Sequence, residues 1–309
     1  MLRLNELGSN YGLGTAGFSG DGGGYGFGSV VEEQAILVMQ KARESYGVKV
    51  FDTAPIYGFG EAEVRLGKAA QSSRGKYFII TKTGVGWHSS KRVNMSNDPK
   101  LTLSMLEDSL RRLNTDYIDA VLVHWPDRNV DIRKTYEVLA KAKLQGKINY
   151  LGLSNTNLSE INLAKEVDSV DIVQGEYNIF NQSDVITDNE FYSTSWGSFD
   201  KGIATGRVFK NRVFDSSDCR SWAPWWKKSN KEEKVERVKN LLDKIPQGSS
   251  VNHEEVLVKY SIEFIKKSGV NCPLFGVKSE KDLDSIHHSF NSNIKNYPDV
   301  IKLLEMINE

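Results

Sequence analysis

Phe51-Asp52-Thr53-Ala54-Pro55-Ile56-Tyr57-Gly58 is the stretch on which the reading of the chain turns. The short apolar run Val48–Phe51 predicts a strand that delivers Asp52 at its C-terminal end. Pro55 and Gly58 then break the strand into a loop that carries Tyr57. Taken alone, this is an Asp capping a turn beside a packed Tyr. Two later strands change the odds. Tyr77-Phe78-Ile79-Ile80-Thr81 runs into Lys82, and Ile118–Val123 runs into His124. Three strands thus carry titratable groups at their C-terminal ends.

Working outward, Leu13–Thr15 reads as a short strand and Gly17–Gly28 as a glycine-rich loop. Gly12-Leu13-Gly14-Thr15-Ala16-Gly17 fits the G-x-G-x-x-G dinucleotide fingerprint literally, but no helix opens after it, so that reading is rejected. Ser29 and Glu32 predict a capping box at the start of a helix that ends near Gly47. Further helices are expected over Glu61–Ala70, from Asn97-Asp98-Pro99 through Leu113, over Ile132–Gln145 and over Leu158–Glu166. Strands follow at Asn149–Leu153, Asp171–Gln174, Phe191–Ser195 and Asn271–Phe275. Lys231–Ile245, Val251–Lys267, Glu280–Ile286 and Pro298–Ile307 read as helices, whereas Gly197–Ser229 has no clear period.

Short apolar strands alternating with amphipathic helices argue for a parallel sheet. Eight such units without a linker predict an α/β fold, a (β/α)8 TIM barrel forming a single domain over residues 1–309. An open doubly wound sheet would gather its ligand at one switch-point crevice. Polar groups after strands two to six suit a barrel mouth better.

The composition is compatible with this and excludes other classes. Hydrophobic residues make up 39% of the 309, enough for a large core. Forty basic residues balance 40 acidic ones, which gives no electrostatic case for nucleic acid. No window approaches the ~20 apolar residues of a membrane span. Met1–Glu6 lacks the apolar stretch of a secretory signal. Cys219 and Cys272 make neither a disulfide framework nor a metal spacing, so a cytoplasmic protein without metal is expected.

At a common barrel mouth, Asp52, Tyr57, Lys82 and His124 would converge. A tyrosine is a poor proton donor near neutrality, its ordinary pKa being about 10. A nearby Lys ammonium would lower that value, and an Asp paired with the Lys would keep it charged and placed. An imidazole beside the phenol can orient a carbonyl oxygen, and the phenol can protonate the alkoxide that forms there. No side chain supplies hydride, so a nicotinamide cofactor is implied.

Those residues lie in segments that resemble the aldo-keto reductase family. FDTAPIYGFGEAEVRLGKA (Phe51–Ala69) and LRRLNTDYIDAVLVHWPD (Leu110–Asp127) are similar to its two signatures. YLGLSN (Tyr150–Asn155) and VQGEYNIFN (Val173–Asn181) match two further segments, and the similarity runs from about Leu13 to Ile286. The resemblance implies a barrel, an extended nicotinamide cofactor and reversible carbonyl reduction. It carries the catalytic tetrad onto Asp52, Tyr57, Lys82 and His124, with Tyr57 as general acid. It carries the nicotinamide amide contacts onto Ser154, Asn155 and Gln174. Counting back from Gly202-Ile203-Ala204-Thr205-Gly206, the ring stacked on the nicotinamide would be Trp196.

Gly276-Val277-Lys278-Ser279 resembles the family segment that grips the adenosine 2′-phosphate, with Asp282 where Gln or Arg is usual and Ile286 where Asn is usual. Lys278 and Ser279 lead to an expectation of NADP(H) over NAD(H), provided Asp282 stays in solvent. An inward Asp282 that accepts the free ribose hydroxyl would reverse the order. The family's sixth helix has only Gln182–Glu190 available and must be short or replaced by loop. Trp222, Trp225 and Trp226 form either a satellite core or a pocket wall. The substrate is a small carbonyl compound or sugar, with specificity in the irregular loops His88–Asn97 and Phe209–Trp226. Two other functions fit the same motifs. One is a cofactor-binding regulatory relative, like potassium-channel β subunits; the other is a sugar or lactol dehydrogenase working oxidatively.

Overall fold

The strands predicted from short apolar runs close into a ring. The structure, a computed structural model, describes residues 7–20, 24–188, 190–209, 212–245 and 252–305. Its strands are β1 (Gly12–Gly14), β2 (Val50–Asp52), β3 (Phe78–Thr83), β4 (Val85–Trp87), β5 (Val93–Met95), β6 (Ile118–Val123), β7 (Ile148–Ser154), β8 (Ile172–Glu176), β9 (Tyr192–Trp196) and β10 (Cys272–Gly276). Eight of them form a closed barrel in the order β1-β10-β9-β8-β7-β6-β3-β2, every pair parallel. The helices are α1 (Glu32–Glu44), α2 (Glu61–Ala70), α3 (Pro99–Leu113), α4 (Ile132–Leu144), α5 (Leu158–Lys165), α6 (Pro224–Lys227), α7 (Lys231–Leu242), α8 (His253–Lys266), α9 (Glu280–Asn291) and α10 (Pro298–Glu305). Residues 306 and 307, expected in the last helix, lie outside the described residues.

The period-2 alternation of a strand sorts its residues between two cores. Val50, Phe78, Ile80, Ala120, Leu122, Ile172, Tyr192 and Leu274 point into the barrel. Phe51, Ile79, Val121, Leu151, Val173 and Phe275 point outward against the helices. Continuing the inward parity along each strand reaches Asp52 after Val50, Lys82 after Ile80, His124 after Leu122 and Gln174 after Ile172. The barrel's apolar filling therefore ends in a polar layer at its C-terminal mouth.

Two local expectations differ, and a third is met. Ser29 caps nothing: α1 begins at Glu32 with extended Val31 as its N-cap and no side-chain cap, which leaves Ser29 two residues outside. The stretch after β3 is not wholly irregular, because β4 and β5 form an antiparallel hairpin over the mouth. Between β8 and β9 a single 3-10 turn, Asp184–Thr187, replaces the helix, within the shortening expected there. The aperiodic stretch after β9 packs with α7, α8 and α10 into a second core that includes Ile203, Ala204, Cys219, Trp226, Leu257 and Leu303.

The loop carrying Tyr57 is held by backbone that only glycine satisfies. Gly58 has φ +64°, and a Cβ there would fall 2.2 Å from the Ser19 carbonyl oxygen. Gly58→Ala should cost the left-handed penalty of ~1–2 kcal/mol and the displacement of that contact besides. Its urea midpoint is expected to fall; an unchanged midpoint would show the loop to be adaptable.

Candidate active site

Asp52 and Lys82 meet deep in the mouth, 3% and 1% exposed. Lys82 Nζ donates to both Asp52 oxygens (2.7 and 2.8 Å) and to the Thr53 carbonyl (2.8 Å), so its three protons are all committed. Tyr57 lies above this pair, with Nζ 5.5 Å from its ring centroid. His124 meets the Tyr57 ring edge-on, centroids 6.1 Å apart. The four residues expected to converge are thus in one cluster.

Ser154, Asn155, Gln174 and Trp196 join the same cluster through a chain of hydrogen bonds. Trp196 Nε1 donates to Asn155 Oδ1 (3.0 Å), and Asn155 Nδ2 donates to Ser154 Oγ (3.1 Å). Ser154 Oγ donates to Gln174 Oε1 (3.2 Å), and Gln174 Nε2 donates to Asp52 Oδ2 (2.8 Å). Every donor points toward Asp52, an arrangement in which successive bonds polarise one another. Asn155 adopts φ +54°, which Asn tolerates, and this turns its amide back onto the His124 carbonyl (2.9 Å) as well. Thr194, which the sequence reading missed, also accepts from Gln174 Nε2 (3.2 Å). Its inward parity on β9, two residues after Tyr192, is the signal that marks it. The hydroxyl and two carboxamides offer both donors and acceptors, the mixture a nicotinamide carboxamide requires, so these residues fit that headgroup.

The electrostatics depart from expectation at Tyr57. Burial, with the Asp52 charge second, pushes its phenol above the ordinary range. The lowering expected from Lys82 is not found, because the ammonium is directed entirely to Asp52 and Thr53. Burial lowers Lys82, and Asp52 opposes that shift. Burial and the Lys82 charge hold His124 well below its usual value, so it is a neutral imidazole at pH 7. Its Nδ1 is buried without a partner among the described residues.

Lys278, Ser279 and Asp282 sit where β10 turns into α9, at the same end of the barrel. Asp282 is not in solvent. Its side chain is 19% exposed and accepts from Arg207 Nη1 (2.7 Å), Ser279 Oγ (2.9 Å) and the Lys278 amide (3.2 Å). The physical reason is Arg207, 75 residues earlier in the aperiodic segment, whose charge draws the carboxylate inward. Lys278 Nζ donates to the Phe27 carbonyl (2.8 Å). The satellite-core reading holds for two of the three tryptophans. Trp226 is buried in the second core with Trp225 against it, whereas Trp222 is 38% exposed and packs on Tyr25, centroids 6.0 Å apart.

A buried Asp–Lys pair, a Tyr and a neutral His thus stand together at the mouth of a closed parallel barrel. The chain belongs to the aldo/keto reductase family, whose sequence profile matches residues 10–308 and whose members use nicotinamide cofactors. It is similar to Aldo-keto reductase YhdN of Bacillus subtilis, 30% identical over 96% of this chain and 90% of that one. Probable aldo-keto reductase 1 of Glycine max is 25% identical over 88% of this chain and 81% of its own. The structure of a glycerol dehydrogenase from Gluconobacter oxydans shares the fold, with TM-score 0.73 and 24% identity over 96% of this chain and 92% of that one. Among the described residues no helix is long and apolar enough to cross a membrane, and no cluster of three or more metal-ligating side chains occurs.

Proposed function

We propose that this chain reduces a small carbonyl substrate, an aldehyde, ketone or sugar, to the alcohol, with Tyr57 donating the proton. The observation that carries this reading is the donor chain from Trp196 to Asp52, which ends on the ammonium beneath Tyr57. A bound nicotinamide cofactor supplies the hydride. Ser154, Asn155 and Gln174 hold the carboxamide and fix the ring's orientation. Neutral His124 orients the carbonyl oxygen without adding a charge beside Lys82. The phenol, still protonated at neutral pH, then protonates the developing alkoxide.

Turnover of aldehydes, ketones and sugars in both directions, followed by nicotinamide absorbance, tests the reading. Cofactor binding without turnover of any of them would favour the regulatory alternative. The preference for NADP(H) over NAD(H) expected from the sequence rests on Lys278 and Ser279, and both now have Asp282 or Phe27 as partners. Trp196 is taken as the ring stacked on the nicotinamide. Cofactor should therefore quench part of the tryptophan fluorescence, and Trp196→Ala should remove that part. Unchanged quenching in the variant would count against stacking.

A further inference from the structure

We infer that the Asp282 carboxylate takes the place of the cofactor's 2′-phosphate and that the chain selects NAD(H). This rests on the proposed nicotinamide reading and on Lys278–Asp282 as the ribose end of that site. Three donors of the kind a phosphate needs converge here: a guanidinium, a hydroxyl and a backbone amide at the head of a helix. All three already deliver to one carboxylate, at 2.7, 2.9 and 3.2 Å. Arg207 already divides its charge between two carboxylates, its Nε donating to Glu254 (2.5 Å). The Lys278 ammonium is directed to Phe27, and the Asp218 and Asp215 charges act on it as well. Burial pushes the Asp282 carboxyl up, but Arg207, Ser279 and the Lys278 amide outweigh it, so the group is ionised at neutral pH.

A 2′-phosphate, at about −1.5 to −2 charge, would have to expel this carboxylate or lie against it. With the Asp282 side chain 19% exposed, that repulsion is screened less than between charges in open solvent. A free ribose hydroxyl meets the opposite situation. A carboxylate has about four lone-pair positions. Three are filled here, so one remains for a hydroxyl donor. Asp282 and Arg207 are in this way specificity-determining residues, the second positioning the first.

The test is equilibrium binding of NADH and NADPH, by fluorescence quenching and calorimetry, with 2′-AMP and 5′-AMP as competitors. The unaltered chain should bind NADH more tightly by roughly tenfold or more, the scale of one hydrogen bond to a charged group. Asp282→Asn should weaken NADH, strengthen NADPH and 2′-AMP, and narrow or reverse the ratio. Circular dichroism checks that the variant is folded, and the unaltered chain's own ratio needs no variant. Tighter or equal binding of NADPH by the unaltered chain overturns the inference alone, as does a ratio unmoved by Asp282→Asn. Binding of neither dinucleotide overturns the cofactor reading, and the inference with it.

Discussion

Tyr57→Phe is expected to bind cofactor as the unaltered chain does and to lose carbonyl reduction by about 10²–10⁴-fold, mainly in kcat. The change removes one hydroxyl from a ring that His124 and the Lys82–Asp52 pair already hold in place. Folding and dinucleotide affinity should therefore be little altered. The raised phenol adds a directional expectation. A proton held above the ordinary tyrosine range is available for reduction at neutral and moderately alkaline pH. Alcohol oxidation needs the deprotonated phenol as base, so its rate should climb with pH across the same interval. Steady-state kinetics of purified Tyr57→Phe decide the first point, and near-normal turnover would remove Tyr57 from the chemistry. Oxidation rates that fall with rising pH would contradict the second.

Lys82→Met should be more damaging, because it strands a buried charge. Asp52 would keep the Gln174 amide but lose the ammonium that accounts for two of its contacts. Removing one partner of a buried pair costs about 3–5 kcal/mol. Asp52→Asn combined with Lys82→Met should recover much of that stability without recovering activity, since no charge then lies beneath Tyr57. Denaturant unfolding and turnover, measured on both variants, separate folding from function. The pH profile gives an independent readout. Burial lowers Lys82 below 10.5 while Tyr57 is raised, so an alkaline fall in reduction belongs to Lys82. Any residual reduction by Lys82→Met should lack that limb. A single variant with unaltered rate and pH dependence would sink the pairing.

The barrel and its polar mouth were legible because each short apolar run ends directly in its polar residue, and strand parity explains why those residues face inward. Val50 and Asp52, Ile80 and Lys82, or Leu122 and His124 are two residues apart, and one inward-facing apolar residue predicts the next inward position. The same parity, carried through Tyr192, would have found Thr194. What the sequence concealed depends on partners far along the chain. The orientation of Asp282 stayed open between solvent and an inward turn, because Arg207, the charge that draws it in, lies 75 residues earlier in a stretch without a period. Tyr57 was expected to be acidified by Lys82, but a sequence does not reveal that the Thr53 carbonyl takes the third ammonium proton. The β4–β5 hairpin escaped notice because β5, Val93-Asn94-Met95, is partly exposed and interrupted by Asn94, so no apolar run marks it. Ser29 met the spacing of a capping box, yet the helix starts only at Glu32, leaving its hydroxyl too early in the chain to reach the first turn.

The ring closes where Gly12–Gly14 lies beside Leu274–Gly276. Those two strands are separated by nearly the whole chain, so their pairing carries a loop-closure entropy that only the finished ring repays. Non-local pairing of this kind slows folding. During synthesis the edges of β1 and the newest strand stay unpaired until residue 276 has emerged, an interval in which they can pair with other chains. A chain cut before β10 would keep most of its helices and the strands bearing Asp52, Lys82 and His124. It would nevertheless remain an open sheet with two exposed edges, and its expected fate is aggregation rather than partial activity.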